Sequence, residues 1–222
     1  ERRPLVTLKI ASSLDGRTAT HDGHSQWITG EAARKRGHLL RATHDAILVG
    51  SATAIVDDPE LTCRLPGLEG RSPVRIVADG RLRLPLTSKL VRDAKKVPVW
   101  VLTLPGGDEH RRAAFEECGV TLIDVEPGDG GLMNMRAAME ILAKHGLTRV
   151  LVEGGARLGA SLLREHLVDR IEWFRAAKVI GGDGYPAIAA LGVKKLGDAP
   201  GFVLRETASV GGDTVASFVR GG

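Results

Sequence analysis

The sequence predicts an α/β domain whose central sheet is mostly parallel and finishes in an antiparallel hairpin. Two patterns carry that prediction. Through the first two-thirds of the chain, short β-branched apolar runs alternate with amphipathic helical periods, the signature of a parallel sheet covered on both faces. The last third changes to long extended stretches around Val210-Gly211-Gly212, a hairpin signal, and hairpin strands pair antiparallel.

Taken in order, residues 5–11 read as a core strand and empty into a polar loop that closes on Trp27-Ile28-Thr29. A helix is predicted over 31–41 and a buried strand over 46–49, followed by Gly50 and a short helix beginning near Ser51. Strands follow at 75–78, 97–102 and 120–125, with a helix over 108–118 before the last of them. Leu132, Met135, Met139 and Leu142 have helical spacing, so residues 132–145 form a helix with a methionine stripe in the core. A strand at 149–152 runs into a helix at 156–165, then a long strand is expected at 170–179. Residues 201–209 and 213–220 flank the final turn. Without internal repeats or a low-complexity linker, one domain over 1–222 is the simplest count.

Composition limits the partners. The formal charge of +4 is spread along the 222 residues, which suits a solvated surface and a phosphorylated small molecule better than a polyanion. Aromatic residues make up only 4%, too few for stacking platforms on single-stranded nucleic acid, so no nucleic-acid partner is expected. Cys63 and Cys118 stand far apart in no CxxC pattern, which suggests two free thiols in a reducing cytoplasm and no structural zinc. No apolar run approaches the roughly 18 residues of a membrane span. The chain opens on Glu-Arg-Arg-Pro, without methionine or a signal-peptide pattern. A piece cut from a longer polypeptide is therefore expected.

Three segments could carry chemistry. In the first, Lys9 interrupts the apolar strand that leads into Ser12, Ser13, Asp15, Arg17, Ser25 and Gln26. Most connections are roughly 4–6 residues long, and a long polar loop leaving a buried strand commonly holds a ligand. In the second, residues 150–161 read VLVEGGARLGAS: a strand, two glycines, then a helix start with unpartnered amides. Phosphate binding at that helix start competes on even terms with a tight strand-to-helix turn. Glu153, at the strand end, is more than a turn requires. This is not the Gly-x-Gly-x-x-Gly dinucleotide fingerprint.

In the third segment, 46–64, a strand meets Gly50 and a short helix on which Thr53 and Asp57 share a face. Arg64 follows, and Arg41 ends the preceding helix, where a cation is favoured by the helix dipole alone. Together the two arginines form a candidate phosphate clamp. The seven histidines are scattered without metal-site spacing, and no Gly-x-Ser-x-Gly or P-loop occurs, so hydrolase and nucleoside-triphosphatase readings have no support.

These segments together resemble the reductase domain of riboflavin biosynthesis. The resemblance is carried by TLKIASSLDGRTA at 7–19, SQWIT at 25–29, DAILVGSATAIVDDPELTCR at 45–64, PVRIVAD at 73–79, VLVEGG at 150–155 and KVIGGDG at 178–184. It implies a dihydrofolate reductase-like, three-layer α/β/α fold and NADPH-dependent reduction of the ribose of 5-amino-6-(5-phosphoribosylamino)uracil to a ribityl chain. In many relatives the domain follows a zinc-dependent deaminase, whose His-x-Glu and Pro-Cys-x-x-Cys signature is absent here. Fusion to such a domain is expected in the full-length protein, and so is a homodimer.

By resemblance, Ser25, Arg41, Leu61, Arg64 and Glu153 fall at substrate-binding positions, the arginines toward the ribose phosphate. Ala11, Trp27, Thr53, Asp57 and Gly80 fall at cofactor positions. Gly155, Ala156, Arg157, Leu158, Gly159, Ala160 and Ser161 match the stretch that cradles the cofactor pyrophosphate. Lys9 is the candidate for polarising the reacting ribose, with Asp57 or Glu153 relaying a proton. Gly80 lacks the hydroxyl that can occupy its position. Arg81 or Arg83 would compensate near a 2′-phosphate, or else stand as ordinary solvated loop arginines. Two alternatives remain: a reductase acting on the undeaminated 2,5-diamino-6-ribosylamino-pyrimidinone phosphate, and a nucleotide-binding module without turnover. A true dihydrofolate reductase fits less well, because helix 31–41 offers only Glu31 as an acidic partner for a pterin.

Overall fold

Alternation along residues 5–12 sets Val6, Leu8, Ile10 and Ser12 on one buried face of strand β1 (Leu5–Ser12), with Thr7, Lys9 and Ala11 on the other. The computed structural model describes residues 2–221, with no account of the Asp129 side chain. After β1 come β2 (Arg17–Ala19), α1 (Glu31–Ala42), β3 (Ala46–Gly50), α2 (Ser51–Asp57) and β4 (Val74–Ala78). Next are α3 (Lys89–Arg92), β5 (Val99–Thr103), α4 (Glu109–Glu117), β6 (Thr121–Asp124) and α5 (Met135–Lys144). The chain ends with β7 (Arg149–Glu153), α6 (Ala156–Arg164), β8 (Arg170–Ala176), β9 (Tyr185–Pro186), β10 (Phe202–Val210) and β11 (Asp213–Arg220). The expected α/β class is the one observed: mostly parallel strands interleaved with helices, closed by an antiparallel hairpin.

The described chain forms two compact units. One holds residues 2–5 and Leu40–Leu151, the other Val6–Leu39 and residues 152–221. In the first, β3, β4, β5 and β6 lie side by side and parallel, with Ile47 opposite Arg75 and Val77 opposite Val101. Its core gathers Ile47, Val49, Leu61, Val77, Leu84, Val101 and Phe115. Arg75 is 1% exposed, unusual for a side chain almost never buried unless paired. Its guanidinium donates to the carbonyls of Glu60, Asp93 and Val97, fastening two connections, the loop after α2 and the one between α3 and β5, to one strand. Burial pushes its pKa down from the ordinary arginine value.

In the second unit β1 pairs parallel with β8, β8 antiparallel with β11, and β11 antiparallel with β10. The register places Lys9 opposite Glu172 and Ala11 opposite Phe174, and Ser217 opposite Glu172. The loop after β1 contains β2, which pairs antiparallel with β9. At Gly184 a Cβ would stand 2.8 Å from the Ala19 carbonyl oxygen, so only glycine lets the two segments approach this closely.

Several boundaries differ from the sequence reading. The helix expected from 132 begins at Met135, because Asn134 caps it by accepting from the Ala137 amide. Leu132 is consequently exposed outside the helix. The strand expected over 170–179 stops at Ala176, where the chain turns to meet the loop after β1: the Leu14 amide donates to the Lys178 carbonyl at 2.8 Å. β2, β9 and α3 went unread because runs of three, two and four residues carry no periodicity.

Candidate functional site

The second unit brings the first two informative segments together. Lys9 points from β1 toward the end of β7, and its Nζ lies 3.8 Å from Glu153 Oε2. Both side chains are largely withdrawn from water, so the attraction is weakly screened. The ammonium also stands 5.5 Å from the ring centroid of buried Phe174, an additional cation–π contact. Gly37 of α1 approaches from another side: a Cβ there would lie 3.9 Å from Lys9 Cε. Ala11 follows two residues along the same face. Glu172, opposite Lys9, already accepts from Ser217 Oγ at 2.7 Å.

Immediately after Glu153 the chain takes positive φ at Gly154 (82°) and Gly155 (88°), a conformation that favours glycine at both positions. The turn leads into α6 with no side chain capping its first amides. Gly154, Gly155 and Arg157 are exposed, whereas Leu158, Gly159 and Ala160 are buried. The Gly159 amide already donates to the Gly155 carbonyl, and a Cβ at 159 would meet Leu8 at 3.5 Å. The two readings of this motif therefore divide by residue. Residues 155–158 keep helix-start amides suited to an anion, while Gly159 and Ala160 pack the helix against the strand and Ser161 lies in its interior.

Ser25 and Trp27 stand on the exposed part of the loop after β1, Trp27 with 63% of its surface open. The Arg34 guanidinium lies 4.7 Å from the Trp27 ring centroid, while its Nη1 donates to the Thr29 carbonyl at 2.9 Å. Lys178 Nζ donates to the Trp27 carbonyl at 3.2 Å. The same loop is pinned at its other end by Asp15, whose carboxylate accepts from Ser13 Oγ (2.6 Å) and from the amides of Gly181 (2.7 Å) and Ile180 (3.1 Å). These bonds, Ser13 foremost, hold its pKa at about 2.

The first unit holds a separate cluster on the 50–64 segment. Thr53 and Asp57 share one side of α2. Asp57 lies at the solvent-exposed end of that helix, yet the surrounding protein desolvates its carboxyl and pushes its pKa up. Beyond it, Asp58 (φ 39°) and Leu61 (φ 56°) adopt the left-handed region, where a non-glycine backbone is strained and commonly serves a site. Leu61 is buried. Arg41 Nη1 donates to the Thr62 carbonyl at 3.0 Å, and Arg64 meets Glu60 at 2.7 Å, so both arginines attach to this loop.

Gly80 sits where a Cβ would stand 3.2 Å from Leu104 Cγ, so the leucine fills the space a hydroxyl-bearing side chain would need. Arg83, weighed above for a 2′-phosphate, donates to Ser51 Oγ at 2.7 Å and lies 3.6 Å from buried Asp79; it braces the start of α2. Arg81 is exposed. Cys63 and Cys118 are unbridged. Among the described residues no group of three or more His, Cys, Asp or Glu is placed to hold a metal, and no helix is long and apolar enough to cross a membrane.

Sequence reasoning passed over Arg34 and Phe174, named Asp15 only as one residue of the polar loop, and included Lys178 only within the 178–184 motif. Only Asp15 carried a usable signal, an Asp-Gly pair in a polar loop. The others matter through contacts across seven, 151 and 165 positions, which the linear order does not display.

Comparison with solved structures defines the class first. The chain superposes over its whole length on Acinetobacter baumannii RibD with a TM-score of 0.86 and 30% identity, covering 59% of that chain. It also matches the Saccharomyces cerevisiae riboflavin biosynthesis reductase, with a TM-score of 0.75 over 100% of this chain and 91% of that one. At 24% identity the second likeness speaks for the fold alone, and that fold is dihydrofolate reductase-like. The sequence then fixes the family: the model of the RibD C-terminal domain matches residues 4–216, and the chain belongs to the RibD C-terminal domain family. A curated relative, the riboflavin biosynthesis protein RibD of Bacillus amyloliquefaciens, is 36% identical over 211 residues, which are 95% of this chain and 56% of that protein. The chain thus spans a little under three-fifths of the curated RibD proteins it matches.

Proposed function

We propose that this chain carries out the reductase step of riboflavin biosynthesis, reducing the ribose of 5-amino-6-(5-phosphoribosylamino)uracil to its ribityl form with NADPH. The observation that carries the reading is the Lys9–Glu153 pair at 3.8 Å, set beside a glycine turn and an uncapped helix start in a member of the RibD C-terminal domain family. The residues fit a nicotinamide dinucleotide. The amides of residues 155–158 suit its pyrophosphate, exposed Trp27 and Ala11 suit its nicotinamide, and Thr53, Asp57 and Gly80 complete the cofactor positions.

Bound NADPH supplies a hydride. The protein's part is to prepare the acceptor. Opening of the substrate's glycosylamine gives an imine, whose first ribose carbon accepts that hydride while its nitrogen takes a proton. Lys9 holds a positive charge near the ribose hydroxyls, in a weakly screened position where charge changes as the ring opens. Glu153 fixes the ammonium and is placed to pass the proton; Asp57, with its raised pKa, is the other candidate for proton relay. Arg41 and Arg64 serve the ribose phosphate, with Leu61 and Ser25 completing the substrate positions. A homodimer, a cytoplasmic location and an N-terminal deaminase partner in the full-length protein belong to the same proposal.

The test is spectrophotometric. The purified chain should oxidise NADPH with the deaminated pyrimidine, less with the diaminopyrimidinone and not with dihydrofolate. Equal or greater turnover on the diaminopyrimidinone would reassign the substrate. Absence of turnover on all three would leave a binding module and refute the reductase reading.

A further inference from the structure

We infer that Arg34 is a specificity-determining residue that makes the site discriminate between the reduced and oxidised forms of the nicotinamide cofactor, favouring release of the oxidised one. The inference rests on the reading above that Trp27 meets the nicotinamide.

Trp27 is a large flat side chain left 63% exposed, and a guanidinium occupies one side of its ring, 4.7 Å from the centroid. Arg34 is not a passing surface cation. It is half-buried on α1, and its Nη1 is tied to the Thr29 carbonyl at 2.9 Å, which fixes the guanidinium against the indole. Lys178 adds a second positive charge at the Trp27 carbonyl, 3.2 Å away. Glu31, the nearby acid on α1, pairs with Lys35 at 2.9 Å and is attracted more weakly by Arg34, whose guanidinium stays tied to Thr29.

An indole face attracts cations through its quadrupole. When Arg34 draws on that electron density from one side, less remains for a cation on the other. Reduced and oxidised nicotinamide dinucleotides share every phosphate, ribose and adenine group, and they differ at the ring, which is neutral when reduced and cationic when oxidised. The amides of residues 155–158 and any phosphate-binding arginine therefore act alike on both forms. The arginine behind Trp27 acts against the oxidised ring alone, and loss of the hydride turns a compatible stacking partner into a repelled one.

The test compares binding of NADPH and of NADP+ separately, by isothermal titration calorimetry on the whole chain without pyrimidine. In Arg34→Met, the ratio of Kd for NADP+ to Kd for NADPH should fall about threefold, the scale of an exposed cation–π contact, while Arg34→Lys keeps the wild-type ratio. Arg34→Gln gives the same readout should the methionine variant fail to fold. Equal weakening of both forms would mean that Arg34 only holds Trp27 in place, and that overturns the inference; an unchanged ratio does so too. Trp27→Leu separates the two levels. If it weakens binding while Arg34→Met leaves the ratio alone, only the discrimination is wrong. If Trp27→Leu binds both forms normally, the cofactor assignment of Trp27 falls and takes the inference with it.

Discussion

Replacing Lys9 by methionine removes one charge and keeps nearly the same volume, so it isolates electrostatics from packing. At the observed 3.8 Å separation, Coulomb attraction at an effective dielectric of 20 comes to about 4 kcal/mol. Desolvating two ions cancels part of that, leaving a coupling of roughly 1–3 kcal/mol. A double-mutant cycle reads this term directly: urea unfolding of wild type, Lys9→Met, Glu153→Gln and the double variant. Each single change strands the other charge, and because Glu153 is the more buried of the two, Lys9→Met should be the more damaging, with the double variant recovering part of the loss. Turnover followed by NADPH absorbance should fall on the order of 100-fold or more in Lys9→Met. A coupling below about 0.5 kcal/mol would show that the pair is not energetically linked. Near-wild-type turnover in a folded Lys9→Met protein would sink the role assigned to its charge.

Three further outcomes are expected. Asp15→Asn should loosen the loop after β1, read as faster proteolysis within residues 13–29. Since the folded pKa of Asp15 is depressed to about 2 from 3.8, its stabilisation is present above the unfolded value and lost as pH falls through about 2. The acid-unfolding curves of wild type and variant should therefore converge there, and curves that stay equally separated would contradict the latch. For Asp57 the sign reverses: burial raises its pKa, so the folded state pays for the charged form at neutral pH. Asp57→Asn should be more stable than wild type at pH 7, with the gain vanishing below pH 4 and impaired turnover marking its part in proton relay; a gain that persists at low pH would rule out the charge as its cause. Arg75→Met should cost roughly 3–5 kcal/mol in urea unfolding, because three carbonyls lose the charged donor of a buried side chain; a loss under about 1 kcal/mol would mean that water replaces the guanidinium.

Strands β1, β3, β4 and β7 were legible because each is an apolar run long enough to show burial on one or both faces. The hairpin was legible from its Gly-Gly turn. What stayed hidden depends on distant partners. Arg75 reads in sequence as the polar edge of a strand, and only the loops at Glu60, Asp93 and Val97 explain its burial. The proximity of Lys9 and Glu153 follows from strand placement, which no local period encodes. The α6 motif was legible as a helix start, but its division between open amides and packing residues needed Leu8 beneath Gly159.

The loop that carries Leu61 and Arg64 owes part of its shape to a residue outside it. Arg75 grips the Glu60 carbonyl from β4, and Cys63 is held through its amide by Ser72. Both grips take hold of backbone atoms, which every amino acid shares. The exposed side chain at 64 can therefore be exchanged without redrawing the loop's path, and a library randomised there tests the role proposed for it, whereas Leu61, packed in the core, is not free to vary. The converse constrains grafting: residues 58–64 moved to another scaffold will not hold this conformation unless an arginine and a hydroxyl come with them at the places of 75 and 72.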